Sequence, residues 1–231
     1  MFHPVHNKRL HRQVFEQIQK LILSGKVKPG DKLPSERELG EMLKVSRNSI
    51  REALRSLEIL GIIECRQGGG NYIKLDISSG LIEPLSIMFQ LHGGSIMDIL
   101  EARRAMESEA AALAAKRHSP RQASELKTIM EKTKTAKSEA ENIRLDKEFH
   151  LRIAEYSGNV LLLSFLTAIS SLLERSIKDG RRAILKSFDN HSSLIKAHER
   201  ICKAILARKP AAAARAIDSH FKMIIDNLPK R

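Results

Sequence analysis

From Leu81 to the end of the chain, apolar residues recur at three-and-four spacing in one segment after another, and no convincing strand interrupts them. Seven helices are expected there, near Leu81–Leu91, Ile96–His118, Pro120–Ala136, Ala140–Ser157, Leu161–Lys186, Ser192–Arg208 and Ala211–Asn227. Ser119, Pro120 and Gln122 mark a helix start, Gly158-Asn159 a stop, and Lys209-Pro210 a break between the last two helices.

The stretch Leu33 to Ile73 has a different pattern, with short helical runs followed by strand-like ones. Ser35 and Glu38 form a capping box, so a first helix starts at Ser35, with Leu39, Met42 and Leu43 as its apolar side. The chain breaks at Lys44-Val45-Ser46, and Ser46 caps a second helix that begins at Arg47. Ile50, Ala53, Leu54 and Leu57 face inward on that helix, which leaves Arg47, Asn48, Ser49, Arg51 and Arg55 on its exposed side and start. These residue types contact phosphates and base edges. After a helix stop at Gly61, Ile62–Cys65 and Asn71–Leu75 read as strands joined through Arg66-Gln67-Gly68-Gly69-Gly70. Two closely spaced helices and a glycine-tipped hairpin have the layout of a winged helix-turn-helix. The expected fold class is therefore mainly α, with a small β-hairpin wing in the N-terminal part and an all-α antiparallel bundle of about seven helices after it. The boundaries are drawn at 1–76 for the winged part, 77–83 for a linker and the start of a helix (Asp76-Ile77-Ser78-Ser79-Gly80 being linker-like), and 84–231 for the helical part.

A net charge of +13 suits a polyanionic partner, but residues 1–76 hold 14 Lys/Arg against 9 Asp/Glu and the remainder 26 against 18. The basicity is spread over both parts, so the helix arrangement rather than charge carries the expectation of DNA binding. Aromatic content of 4% without tryptophan speaks against a base-stacking single-strand binder. No long apolar run spans a membrane, Met1–Arg12 has no signal-peptide core, and the expected location is the cytoplasm. Cys65 and Cys202, far apart in a strand and a helix, are expected to be buried thiols rather than a disulfide.

Asp146 and His150 lie one turn apart on one helix face, and His198 and His220 sit on consecutive helices that would bring the imidazoles level if they fold back as a hairpin. Three imidazoles and a carboxylate suit a divalent transition metal, although lone helical histidines are commonly surface or hydrogen-bonded core residues. The latter reading is given to His3, His6, His11, His92, His118 and His191.

Leu33–Leu39, Val45–Arg47 and Arg51–Leu54 closely resemble the DNA-binding domain of the GntR family of bacterial transcription regulators. The resemblance implies that Arg37, Arg47 and Arg51, with Asn48 and Ser49, touch the operator while the wing tip near Gln67 and Gly68 reaches the minor groove. One departure is Gly69, where family wings often carry an arginine between two glycines. From about Leu81 to Leu228 the chain resembles the FCD effector-binding domain of the FadR subfamily, through Asp98–Glu107, Ala110–Ala115, the Asp146/His150 pair followed by Ser157-Gly158-Asn159, and the last two histidines. That resemblance implies a metal held by Asp146, His150, His198 and His220, zinc first and nickel or manganese next, with a small carboxylate or hydroxy-acid effector beside it. It also implies that Arg103 points inward to the effector; the alternative is a pair with Glu107 on an exposed helix face. Cys202, one turn beyond His198, could approach the metal or pack in the core.

The implied protein is a homodimeric regulator, a repressor by the family's commoner habit, on a double-stranded operator with an inverted repeat. No catalytic residues are assigned. The competing reading is a metal-dependent hydrolase built on the helical part, in which Asp146 and the histidines activate water. No His-Glu-x-x-His sequence, no di-iron Glu-x-x-His pair and no phosphate loop supports it.

Overall fold

The computed structural model describes residues 10–75, 79–176 and 191–228. By contacts the chain divides into two units, with the boundary between Glu83 and Pro84.

In the first unit, α1 (Leu10–Leu23) buries Val14 and Ile18, one turn apart, and packs against α3 (Arg47–Ile59). Between them α2 (Glu36–Leu43) begins at the expected capping box: the Ser35 side chain accepts from the Glu38 N–H while Glu38 Oε2 accepts from the Ser35 N–H at 2.8 Å. Lys44 adopts the left-handed conformation, φ 54°, which ends α2 and turns the chain within three residues. Ser46 then caps α3 through the Ser49 N–H. Ile50, Ala53, Leu54 and Leu57 are buried as expected. Met42 is not: it is 69% exposed, because α2 is only two turns long and packs chiefly on α3 through Leu39 and Leu43, leaving Met42 outside the covered strip.

Gly61, at φ +68°, ends α3 and leads into the antiparallel hairpin β1 (Ile63–Arg66) and β2 (Gly70–Ile73), in register from Ile63↔Ile73 to Arg66↔Gly70. Lys32 bridges Tyr72 on the outer side of β2, which ties the segment before α2 to the wing. Ile63 and Ile73 anchor the base of the hairpin in a core shared with Val14, Leu33, Leu39 and Leu57. Cys65, expected to be buried, is exposed. It shares the strand face of Ile63, but the hairpin has run past the core by that point, so the inward side of the strand meets no neighbouring layer.

The expected linker falls on residues 76–78, outside the described residues, and on Ser79-Gly80, which begin α4 (Ser79–Leu91). The unit boundary falls inside α4, and after it come α5 (Ile96–Arg117), α6 (Pro120–Thr135), α7 (Glu139–Tyr156), α8 (Val160–Ser176), α9 (His191–Leu206) and α10 (Pro210–Asp226). These agree with the seven expected helices; the last part of the fifth, 177–186, lies outside the described residues. Capping boxes at Ser95/Asp98 and Ser119/Gln122 set the starts of α5 and α6, and Pro210 opens α10. The central helix is α5, packed against α7, α8, α9 and α10, while α9 and α10 form a hairpin. Arg208, in the turn of that hairpin at φ 52°, donates to Lys116 O and His118 O and so satisfies carbonyls at the end of α5. Leu100, Phe149, Ile153, Leu173, Ile201, Ile217 and Phe221 form the core. Among the described residues no helix is long and apolar enough to cross a membrane.

Candidate functional site

In the first unit the start of α3 and the hairpin tip are both exposed. Arg47 and Asn48 are exposed, whereas Ser49 is half-buried with its N–H committed to Ser46. Arg51 Nη2 lies 3.1 Å from Glu36 Oε2, and Arg37 Nε lies 3.9 Å from Glu41 Oε1. Exposed pairs of this kind contribute about 0–1 kcal/mol, so either arginine can exchange its partner for a phosphate at little cost. Gln67 and Gly68 form the exposed tip. Just before it, the Arg66 guanidinium stacks 4.1 Å over the Tyr72 ring. Sequence alone does not single out this basic position, although Glu64, Arg66 and Tyr72 share one face of the hairpin by register.

The second unit contains a buried polar centre assembled from three helices and backed by α5. Helix α7 contributes Asp146 and His150 on one face, α9 contributes His198 and α10 contributes His220. The hairpin of α9 and α10 brings the last two imidazoles to a centroid distance of 4.7 Å; His150 lies 5.2 Å from His198 and 5.1 Å from His220. One ring nitrogen from each histidine falls within 4.8 Å of those of the other two. Asp146 Oδ1 stands 3.7 Å from His150 Nε2 and 3.6 Å from His198 Nε2. All four residues expected from sequence are thus brought together, and the three histidines are buried. His198 Nε2 and His220 Nδ1 have no hydrogen-bond partner despite full burial, as does Asn142 Oδ1 one turn before Asp146.

An orphaned buried nitrogen costs about 1–3 kcal/mol unless something accepts its lone pair or receives its proton. Burial pushes the His198 imidazole down to about 4, helped by neighbouring His150, and depresses His220 well below its ordinary value with His198 contributing. These rings are neutral near pH 7 and hold free lone pairs, the state in which imidazole ligates. The residues present therefore fit a divalent cation.

Behind the histidines lies a pair of side chains from α5. Arg103 and Glu107 are 5% and 3% exposed, and Arg103 Nε donates to Glu107 Oε1 at 2.8 Å. The other oxygen of Glu107 bonds His150 Nδ1. Burial opposes ionisation of Glu107, but Arg103 and His150 outweigh it and hold the carboxyl below its ordinary value. The pairing expected on an exposed face thus occurs in the interior, with the Arg103 guanidinium 5.1 Å from the Phe221 ring. Sequence reading placed Glu107 only as a surface partner. Its recurrence with Arg103, Ala110, Ala111 and Ala114 on one helix face was the available signal, obscured because two charged residues on such a stripe usually mark solvent.

The remaining histidines take other roles or lie outside the description. His11 lies 3.1 Å from Glu52, His92 is exposed, and buried His118 bonds Ala114 O through Nδ1. His3, His6 and the side chain of His191 are outside the described residues. Cys202 packs in the core, where burial pushes its thiol up to about 11.

Two family models match the chain: "Bacterial regulatory proteins, gntR family" over residues 10–73 and "FCD domain" over residues 98–223. The HTH-type transcriptional regulator LutR of Bacillus subtilis is 32% identical over 90% of this chain and 96% of its own. The "Putative L-lactate dehydrogenase operon regulatory protein" of Escherichia coli K12 is 32% identical over 94% of this chain and 85% of its own. A solved structure titled Streptococcus agalactiae GntR superposes with a TM-score of 0.70 at 31% identity, covering 93% of this chain and 98% of that one.

The buried histidines impose a pH dependence on the metal-free helical unit. In an unfolded chain His198 titrates near 6.5, but the native site holds it near 4, so on acidification the unfolded state takes up a proton that the native state refuses. Stability is fully present above about pH 6.5 and is lost as pH falls toward 4, by about 2 kcal/mol at pH 5 from this one group. In the presence of a chelator, thermal midpoints measured near neutral pH and near pH 5 should differ less for His198→Asn than for the wild type; equal differences would contradict this origin.

Proposed function

The chain belongs to the GntR family of bacterial DNA-binding transcription regulators and carries an FCD effector domain, and on that footing we propose that it senses a small carboxylate through a divalent metal held by Asp146, His150, His198 and His220. The observation that carries this reading is the set of three buried imidazoles around one point, two with orphaned nitrogens, beside the Asp146 carboxylate. One carboxylate oxygen and three neutral imidazoles suit zinc first and nickel or manganese next. A metal bound there supplies a Lewis-acidic position for a carboxylate or hydroxy acid. Because Arg103 Nε is engaged by Glu107, contact of Arg103 with such an anion falls to its terminal amino groups. The L-lactate dehydrogenase operon named for one relative makes L-lactate the first effector to try.

The first unit supplies the operator surface. In this reading α3 enters the major groove, with Arg47, Asn48, Ser49 and Arg51 at or near its start, Arg37 reaches the flanking phosphates, and Gln67 and Gly68 approach the minor groove. Two copies as a homodimer match an inverted repeat, and occupancy represses the adjacent genes. The family matched by the chain consists of regulators rather than enzymes, so Asp146 and the histidines are read as a sensor and not as a water-activating centre.

Two outcomes follow. Arg47→Ala should weaken operator binding by about 1–3 kcal/mol and lower the salt dependence by about one charge while leaving the melting temperature unchanged; an unaltered isotherm would move the DNA contact elsewhere. L-lactate titrated into zinc-loaded protein should bind with different affinity in the presence and absence of operator, because the coupling is reciprocal, and His198→Ala should abolish that binding. Identical affinity in both titrations would rule out a sensor role for this ligand.

A further inference from the structure

We propose that Arg103 and Glu107 are positioning residues that fix the proton of His150 on Nδ1, so that its Nε2 lone pair is aimed at the metal position before any ion arrives. The inference deepens the metal-sensor reading and rests on it.

Glu107 spans two donors with one oxygen each. Its Oε1 accepts from Arg103 Nε at 2.8 Å and its Oε2 meets His150 Nδ1. An ionised carboxylate only accepts hydrogen bonds, so the Nδ1 side of that contact must carry the hydrogen. Imidazole ligates a metal in its neutral form, with a single N–H, and with that hydrogen on Nδ1 the lone-pair nitrogen left for the ion is Nε2. That atom is on the Asp146 side of the ring, 3.7 Å from Asp146 Oδ1. Arginine can neither accept nor give up its proton in a protein, so Arg103 pins the orientation of Glu107 from behind. The two sit four residues apart on α5, and helix geometry itself holds them in line. All three side chains are buried, and the low dielectric around them strengthens the hydrogen bonds of the chain.

An amide cannot reproduce this arrangement. In Glu107→Gln one oxygen becomes an NH2 donor, and that donor cannot face Arg103, which has donors only. The amide group therefore turns to His150 Nδ1, which must then accept, and the imidazole proton moves to Nε2, where it blocks the metal position. Removing the arginine donor as well frees the glutamine to rotate its carbonyl back toward His150.

The experiment uses full-length, isotope-labelled protein with Zn2+ as the only added ligand. Two-bond proton–nitrogen spectra of the metal-free wild type should place the His150 proton on Nδ1, and those of E107Q should place it on Nε2. Zn2+ affinity, measured by competition with a chromophoric chelator, should fall about 10- to 100-fold in E107Q and recover largely in the R103M/E107Q double variant, a rescue that a merely structural role would not give. An Nε2 proton in the wild type, an E107Q protein with unchanged tautomer and unchanged Zn2+ affinity, or a double variant no better than E107Q would each overturn the proposal. A wild type that carries the proton on Nδ1 yet binds no Zn2+ would support the proton placement and refute the metal reading instead.

Discussion

The helical unit is organised around a constraint that an apolar core would not face: three imidazoles, a carboxylate and a guanidinium lie inside it, drawn from α5, α7, α9 and α10. Each must be neutral or paired. His198 and His220 meet this by losing charge, because burial makes the protonated form too costly. Glu107 meets it by accepting from Arg103 on one side and His150 on the other. Replacing such a set with well-packed apolar residues is often neutral or stabilising, so fold stability alone does not account for it. The nitrogens of His198 and His220 that lack a hydrogen-bond partner are where a further ligand would fit.

The rest of the unit can be understood as what holds those helices in place. Phe149 lies next to His150 on α7 and contacts His198, while Phe221, next to His220 on α10, faces Arg103 and His150. Aromatic rings thus wall the buried part of the polar group, and the low dielectric there strengthens the hydrogen bonds within it. Outside that shell the fold is set by local chemistry: capping boxes start α5 and α6, Pro210 starts α10, and Arg208 closes the end of α5. The first unit follows the same logic on a smaller scale, with Ser35 and Ser46 setting the two helices and Gly61 turning the chain into the hairpin.

Much of this was legible in the sequence wherever a strong local rule applied. Capping serines, the break at Lys44–Ser46 and the helical periods from Ile96 onward all act within a few residues, and the helices lie where those signals put them. The convergence of Asp146, His150, His198 and His220 needed the α9–α10 hairpin, which the Lys209-Pro210 break allowed without requiring. What failed depended on neighbours remote in sequence. Helix α1 was not singled out, because exposed Leu10, Leu21 and Leu23 blur the stripe made by Val14 and Ile18. Met42 and Cys65 look apolar enough to bury, but α2 is too short and the hairpin runs too far for a second layer to reach them. Glu107 looked like a surface partner for Arg103 until the packing of α5 against α7 placed His150 on its far side.

In the proposed reading the buried histidines and Asp146 form one metal-binding centre. X-ray absorption at the zinc edge of the reconstituted protein reads its ligands directly. Such a centre should show a nitrogen/oxygen shell at about 2.0–2.1 Å with the outer scattering of three imidazoles and no sulfur near about 2.3 Å. A sulfur shell, or scattering from one imidazole or none, would contradict it.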